Sequence, residues 1–406
     1  MQFSDVWIPY GGYWSTPFCA WQGSFATLAP IPFAAEVAAR ALADRGIAPA
    51  DIDGLCLGTT IASKHSFYGA PWFAGLAGLA GLPQATGPTI NQACATSVRC
   101  VVQAAQELST GGASVYLAEA CDRTSNGPHV FYPNPAGPGG TGDSENLVLD
   151  SFGFDPWAKN SMLQTAENVA REAGITREAQ EEITLLRYSQ YATATADGGA
   201  FLRRYMQLPL EIKEARGKKV VATVAGDEGV HASTAQGLAA LRPVMEGGSV
   251  TFGTQTHPAD GNAGMLLVAG RDRARALSPR GAVDVQLLSY GQARVKKGFM
   301  PMAVVPAAAQ ALQRAGITAA DLASVTSHNP FAVNDVYLAR ELKLDAERMN
   351  RHGCSLVWGH PQGPTGLRSI IELIEDLAMA GGGYGLFTGC AAGDSAAAVV
   401  LHVSVR

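Results

Sequence analysis

Apolar positions along the first 120 residues alternate between two periods. Phe33, Val37, Ala38, Ala41 and Leu42 share one face at helical spacing, with Gly46 as a stop signal. Asp53–Thr60 and Gly87–Asn91 are short runs bounded by turn residues and are predicted as strands. Ala95–Leu108 returns to helical spacing, with Val98, Val101, Val102, Ala105 and Leu108 facing inward, and Ser114–Glu119 reads as a third strand. Strands alternating with helices predict an α/β protein with a mostly parallel sheet and helices on its faces.

The rhythm breaks at 127–142, a stretch too rich in proline and glycine for a central strand or a helix interior. Polar-faced helical patterns follow at Ser161–Glu172 and Arg177–Thr195, so the excursion reads as a lid or binding surface. Alternation resumes near Val250. Strands are predicted at Met265–Val268, Val283–Leu288 and Ser324–Ser327, helices at Met302–Ala315 and Gly366–Ala380, and a closing strand pair at Tyr384–Gly389 and Ala396–Val403. Both halves keep the same order, which suggests a duplicated α/β unit around an irregular insert.

With 406 residues, 47% of them apolar, the chain can bury a large core. Its 30 Lys and Arg against 35 Asp and Glu leave a net charge of −5 and no basic cluster, which argues against a nucleic-acid partner. The apolar run Ala70–Leu82 is too short and too glycine-rich to span a bilayer, and Met1–Tyr10 lacks the features of a signal peptide. A soluble, cytoplasmic protein without membrane association is expected. Seven cysteines without a Cys-x-x-Cys pair argue against a disulfide framework and against a zinc ribbon, so no metal site is expected in this chain.

Three places could carry chemistry. In Asn91–Ser97 a strand runs into a small-residue turn, with Cys94 where the next helix begins. Unpaired N–H groups and the helix dipole stabilise thiolate at such a position. From this pattern alone Cys94 is either an activated thiol or one more small buried hydrophobe. In Trp358–Gly366, glycines and prolines make a rigid turn presenting His360, either a positioned base or a structural imidazole. In Gly385–Ser395 an apolar strand ends in a small-residue loop carrying Cys390, either an oxyanion-type backbone site or a tight hairpin with a space-filling cysteine. Cys19, Cys56, Cys100, Cys121 and Cys354 read as packing residues. Two thiols and an imidazole spread over both halves suit carbon–carbon bond chemistry on a thioester.

At this point the chain resembles the thiolase family over nearly its whole length. The matching segments are Asn91–Cys94, the set Asn350, Gly353, Gly359-His360-Pro361, Gly363, Thr365-Gly366 and Arg368, and Tyr384–Gly393. Met162 with Thr165–Ala170, Asp227-Glu228, Leu241–Pro243 and Asp260-Gly261 fall in the family's order. The resemblance implies a thiolase fold: two similar βαβαβαββ halves in a layered α-β-α-β-α core, plus an inserted loop domain. The implied division is 1–122 with 243–272, a loop domain at 123–242, and 273–406.

The same resemblance implies roles. Cys94 is acylated, His360 activates it, and Cys390 is the acid/base on the second substrate. One oxyanion hole uses the backbone N–H groups of Cys94 and Ala392. The other uses His360 and the His328-Asn329-Pro330-Phe331-Ala332 motif, where His328 stands in place of the usual Asn and could itself donate. Ser161, Met162, Thr256, His231 and Phe331 are the implied substrate or coenzyme A contacts. Ser161 and Leu163 replace the His and Gly of short-chain members, and Ser97 replaces a usual Gly. Coenzyme A is the implied co-substrate, with no permanently bound cofactor, and a homodimer or tetramer is implied.

The His328–Ala332 motif and the aromatics Phe67, Tyr68, Trp72, Phe73, Phe131 and Tyr132 suggest a bulky or aryl-bearing 3-oxoacyl-CoA, with ordinary core packing as the other reading of each aromatic. The chain is similar to benzoylsuccinyl-CoA thiolase subunits, which implies a small zinc-binding, OB-like partner. Two other readings stay open: an acyltransferase or condensing subunit of a larger complex, and a non-catalytic acyl-CoA or lipid-binding protein.

Overall fold

Proline at the first position starts the helix Pro30–Asp44, since its missing N–H is one the first turn leaves unpaired anyway. This element belongs to a computed structural model that describes residues 1–79, 85–214 and 219–406; the Ala70–Leu82 run therefore ends outside the described residues. The helix Thr96–Thr110 buries Val98, Val101, Val102, Ala105 and Leu108, the face its spacing predicts. The insert helices Met162–Ala173 and Arg177–Thr195 are each capped by a hydroxyl, from Ser161 and Thr176. The helix Ala332–Leu342 was not predicted; the buried polar pair Asn334 and Asp335 interrupts its apolar run.

Among the described residues the main sheet has eleven strands. Its hydrogen-bonded path runs Leu322–His328, Gly382–Ala391, Ser395–Val405, Val283–Arg294, Val6–Ile8, Ala259–Ala269, Val115–Arg123, Gly54–Gly58 and Thr89–Ile90. The expectation of a mostly parallel sheet is corrected here. Only the pairs at the two ends of the path are parallel, and the pairs between them are antiparallel. The reason is connectivity: Gly382–Ala391 and Ser395–Val405 are joined by a tight hairpin, which forces antiparallel pairing, whereas parallel neighbours need a crossover. Val6–Ile8 pairs with one long strand from each half and joins them.

Three helical layers sandwich the sheet. Between the halves, Thr96–Thr110 and Thr365–Met379 share one core with strand residues such as Ala118, Met265, Leu287 and Val399. Pro30–Asp44 and Gly69–Leu76 cover the outer face of the first half, and Val304–Ala315 and Ala332–Leu342 that of the second. The two central helices meet at their N-terminal ends. Gly366 lies so close to the other helix that a Cβ would stand 2.6 Å from Val98 Cγ2, and the Leu367 N–H donates to Ser97 Oγ at 2.9 Å. Ser97 thereby satisfies a helix-end donor that would otherwise be orphaned.

The proline-rich stretch forms a small hairpin, His129–Tyr132 against Asp143–Asn146, off the main sheet. The insert is pinned to the core at several places, two of which bear on the site. Glu167 accepts from the Ser249 and Val250 N–H groups, and buried Arg368 grips Asp227 with two bonds of 2.6 and 2.7 Å. Among the described residues no helix is long and apolar enough to cross a membrane.

Candidate active site

The nucleophile candidate sits on a tight turn after Thr89–Ile90. Asn91 Oδ1 accepts from the Ala93 N–H at 3.0 Å, Ala93 takes a left-handed φ of 47°, and Thr96 Oγ1 ties Gln92 to Ala93. Cys94 precedes the helix Thr96–Thr110 by two residues and lines a cavity of about 450 Å³. The expectation of a lowered thiol pKa fails. Burial raises it to about 11, although the N–H groups of Ala392 and Cys94 itself are directed at the sulfur and pull the other way. Desolvation outweighs the donors, so the resting thiol is neutral and needs a base.

His360 is the candidate base beside it. It follows Gly359, whose φ of 90° and lack of room for a Cβ, 2.8 Å from His257 Nε2, both require glycine. The His360 N–H donates to the His257 carbonyl at 2.9 Å. Its Nδ1 lies 2.7 Å from Thr365 Oγ1 at the start of the helix Thr365–Met379, leaving Nε2 buried and unpartnered. The Cys94 sulfur and one ring nitrogen each from His360 and His328 lie within 4.8 Å of one another. Burial, then His328, holds the His360 pKa well below its usual value, so the imidazole is neutral and able to accept a proton.

His328 lies face to face with His360, ring centroids 4.1 Å apart at a 30° tilt. Its Nδ1 is 2.8 Å from Ser355 Oγ, and its Nε2 is buried without a partner. Among the described residues these three form the group whose ligand atoms lie close enough together to hold a metal ion.

Burial alone lowers the His328 pKa to about 3, which has a consequence for stability. Because the folded pKa is depressed, only the unfolded chain takes up this proton as pH falls below about 6.5, so this contribution to stability is lost on acidification. We predict that the stability gap between wild type and His328→Asn shrinks by about 2 kcal/mol from pH 6.5 to 5 in urea unfolding. A gap that does not change with pH contradicts the neutral buried imidazole.

Cys390 lies within the strand Gly382–Ala391, paired with Ala396, and not in the loop the sequence suggested; Gly389 and Ala391 are small enough to continue the ladder. It is 1% exposed, and it and His328 are not among the cavity-lining residues. Its sulfur accepts from Asn334 Nδ2 at 3.3 Å. Burial, then the neighbouring Cys94, pushes its thiol pKa up. Ala392, two residues on, does line the cavity. The other five cysteines are buried, as the packing reading requires.

Sequence reasoning missed Asp122. Its carboxylate accepts from Thr59 Oγ1, the N–H groups of Thr60, Ile61 and Gly363, and Thr60 Oγ1, so it clamps the His360 loop to the first half. Burial raises its pKa to about 6 against the pull of these donors. An acid ending an apolar strand, in Glu119-Ala120-Cys121-Asp122, was the available signal.

Of the implied binding residues, Ser161, Met162, Thr256 and Phe331 line the cavity. The Thr256 hydroxyl is committed to the Ser355 carbonyl at 2.5 Å, so it offers a substrate no proton. His231 is exposed and does not line the cavity. The aromatics read as a substrate wall are elsewhere: Phe67, Tyr68, Phe131 and Tyr132 are exposed and Phe73 is core. The apolar wall consists instead of Phe152, Met162, Leu163, Met300 and Phe331. Met162, Leu163 and Phe331 lie in segments that the resemblance singles out, whereas Phe152 and Met300 stand apart in the chain with no local pattern to read.

The thiolase N-terminal domain model matches residues 13–271 and the thiolase C-terminal domain model residues 282–403. The chain is 28% identical over 398 residues to acetyl-CoA acetyltransferase of Escherichia coli, covering 95% of this chain and 96% of that one. It is 30% identical over 322 residues to beta-ketoadipyl-CoA thiolase of Acinetobacter baylyi, covering 77% and 78%. Human mitochondrial 3-ketoacyl-CoA thiolase, solved in complex with CoA, superposes with a TM-score of 0.87 at 25% identity over 98% of each chain. Acetyl-CoA acetyltransferase of Bacillus anthracis gives 0.88 at 26% identity over 99% of each. The chain belongs to the thiolase family. It has the thiolase fold and is a thiolase-type acyltransferase.

Proposed function

We propose that this protein cleaves a 3-oxoacyl-CoA with coenzyme A, or runs the reverse Claisen condensation, through an acyl-Cys94 intermediate. The observation that carries the reading is the approach of the Cys94 sulfur to the free, neutral His360 imidazole at an apolar cavity. In the cleavage direction His360 Nε2 takes the Cys94 proton as the sulfur attacks the 3-oxo carbon. The bond between C2 and C3 breaks, and Cys390 gives its proton to the departing acetyl-CoA carbanion. The Cys390 thiolate then takes the proton of incoming coenzyme A, whose sulfur attacks the acyl-Cys94 carbonyl. His360 returns the first proton to Cys94 as acyl-CoA leaves.

The Cys94 and Ala392 N–H groups are suited to hold the oxyanion that forms next to the Cys94 sulfur. For His328 Nε2 to donate to the thioester oxygen of the second substrate, the Ser355 hydroxyl must donate its hydrogen bond to His328 Nδ1. Ser355 can do so because Asn329 Oδ1, its other acceptor, also receives the Leu356 N–H.

The acyl group we assign is bulky or aryl-bearing. Support comes from Phe152, Met162, Leu163, Met300 and Phe331 on the cavity wall, where apolar contact favours a large hydrophobic acyl chain. Coenzyme-A-dependent loss of 3-oxoacyl-CoA absorbance, measured on straight-chain and aryl substrates, is the test. Aryl substrates are expected to show at least tenfold higher kcat/KM than acetoacetyl-CoA. The reverse order rejects the acyl assignment, and no loss with any substrate rejects the cleavage reaction. A homo-oligomer and a small zinc-binding, OB-like partner complete the proposal. Co-purification with metal analysis checks the partner.

A further inference from the structure

Asn334 is a buried polar residue that the reaction as written does not use. It sits in the first turn of Ala332–Leu342, is 1% exposed, and directs its Nδ2 at Cys390 Sγ over 3.3 Å. Its Oδ1 is buried with no partner, so the carboxamide is not held there by satisfying its own acceptor. The adjacent Asp335 holds the turn in place. It accepts from Arg187 at 2.7 Å, Ser327 at 2.6 Å, Asn329 at 2.8 Å and Asn350 at 3.2 Å. Such a clamp fixes the helix end, and with it the direction of the Asn334 donor. No other side chain among the described residues donates to the Cys390 sulfur.

We propose that Asn334 is a positioning residue for the acid/base thiol: its N–H aims the Cys390 sulfur and holds the thiolate that exchanges a proton with the substrate α-carbon. This deepens the thiolase reading and rests on it. In the exchange step the C–H bond breaks, its electron pair stays on the substrate as an enolate, and the proton forms S–H on Cys390. A donor to the charged sulfur favours thiolate, so removing it shifts the thiol toward protonation.

Two measurements separate this proposal from the reaction it serves. In a Cys94→Ala background, the ultraviolet absorbance of the Cys390 thiolate, taken as the difference from Cys94→Ala/Cys390→Ala, gives its titration midpoint without any turnover and without a reagent having to reach the buried sulfur. Asn334→Leu is expected to raise that midpoint by about one pH unit, a tenfold change in the thiolate fraction. Asn334→Asp, which places a carboxylate beside the sulfur, raises it further. In the enzyme with Cys94 intact, deuterium wash-out from the acetyl group of labelled acetyl-CoA slows about tenfold at pH 7 in Asn334→Leu, while acylation of Cys94 keeps its rate.

Midpoints that coincide with wild type overturn the proposal, as does a parallel loss of acylation and exchange, which marks a merely structural residue. Absence of wash-out in wild type together with a shifted midpoint rejects the thiolase role of Cys390 and with it the catalytic part of the proposal, while the hydrogen bond stands.

Discussion

Cys94→Ala lowers coenzyme-A-dependent cleavage of a 3-oxoacyl-CoA by at least about 10⁴-fold with little change in stability. The expectation follows from the site's electrostatics. A thiol raised to about 11 and two imidazoles lowered by burial give three uncharged groups close together. In the proposed mechanism charge appears only when substrate arrives and the proton passes from Cys94 to His360, and no other group at the cavity replaces that sulfur. Serine at this position is expected to be almost as inactive, because a hydroxyl starts from a far higher pKa. A Cys94→Ala enzyme retaining a tenth of wild-type kcat/KM contradicts the assignment.

Breaking the buried ion pair between helix and insert has the largest expected effect on stability. Arg368 and Asp227 are both fully buried, their bond is bidentate, and Arg368 also bonds Glu372 at 3.0 Å and stacks 4.2 Å over the Trp358 ring. Asp227 further accepts from Tyr191 Oη and the Phe18 N–H. Asp227→Ala leaves both guanidinium NH groups that faced it unpaired in a low-dielectric site, with Glu372 as the remaining carboxylate partner, and orphans two more donors, so a loss of about 3–5 kcal/mol is expected in denaturant unfolding. A loss below 1 kcal/mol shows that water reaches the pair. Because Arg368 lies in the first turn of the helix that follows the His360 loop, the same variant also loosens the loop that carries the imidazole.

The sequence made the periodic elements legible and left the long-range geometry hidden. Val98, Val101, Val102, Ala105 and Leu108 are buried because helical spacing is a local property, and Arg177–Thr195 has the predicted bounds for the same reason. Strand direction is not local. The mixed sheet depends on Val6–Ile8 and Ala259–Ala269 finding partners far away in the chain, which no run of side chains announces. At the site, Cys94, His360 and Cys390 could be singled out because each sits in a cluster of small residues. Asp122, Asn334 and Ser355 could not, since each acts on a residue tens to hundreds of positions away. Its place at a helix start predicts a lowered thiol pKa for Cys94, and the shift has the opposite sign. Dipole and donors favour the thiolate, and the depth of the pocket outweighs them.

Intact-protein mass after brief mixing with a 3-oxoacyl-CoA, with no free coenzyme A present, tests the central claim most directly. One acyl group per chain, mapped to the Cys94 peptide and released by added coenzyme A, is the predicted result. An unmodified chain, or an acyl group on any other residue, contradicts it.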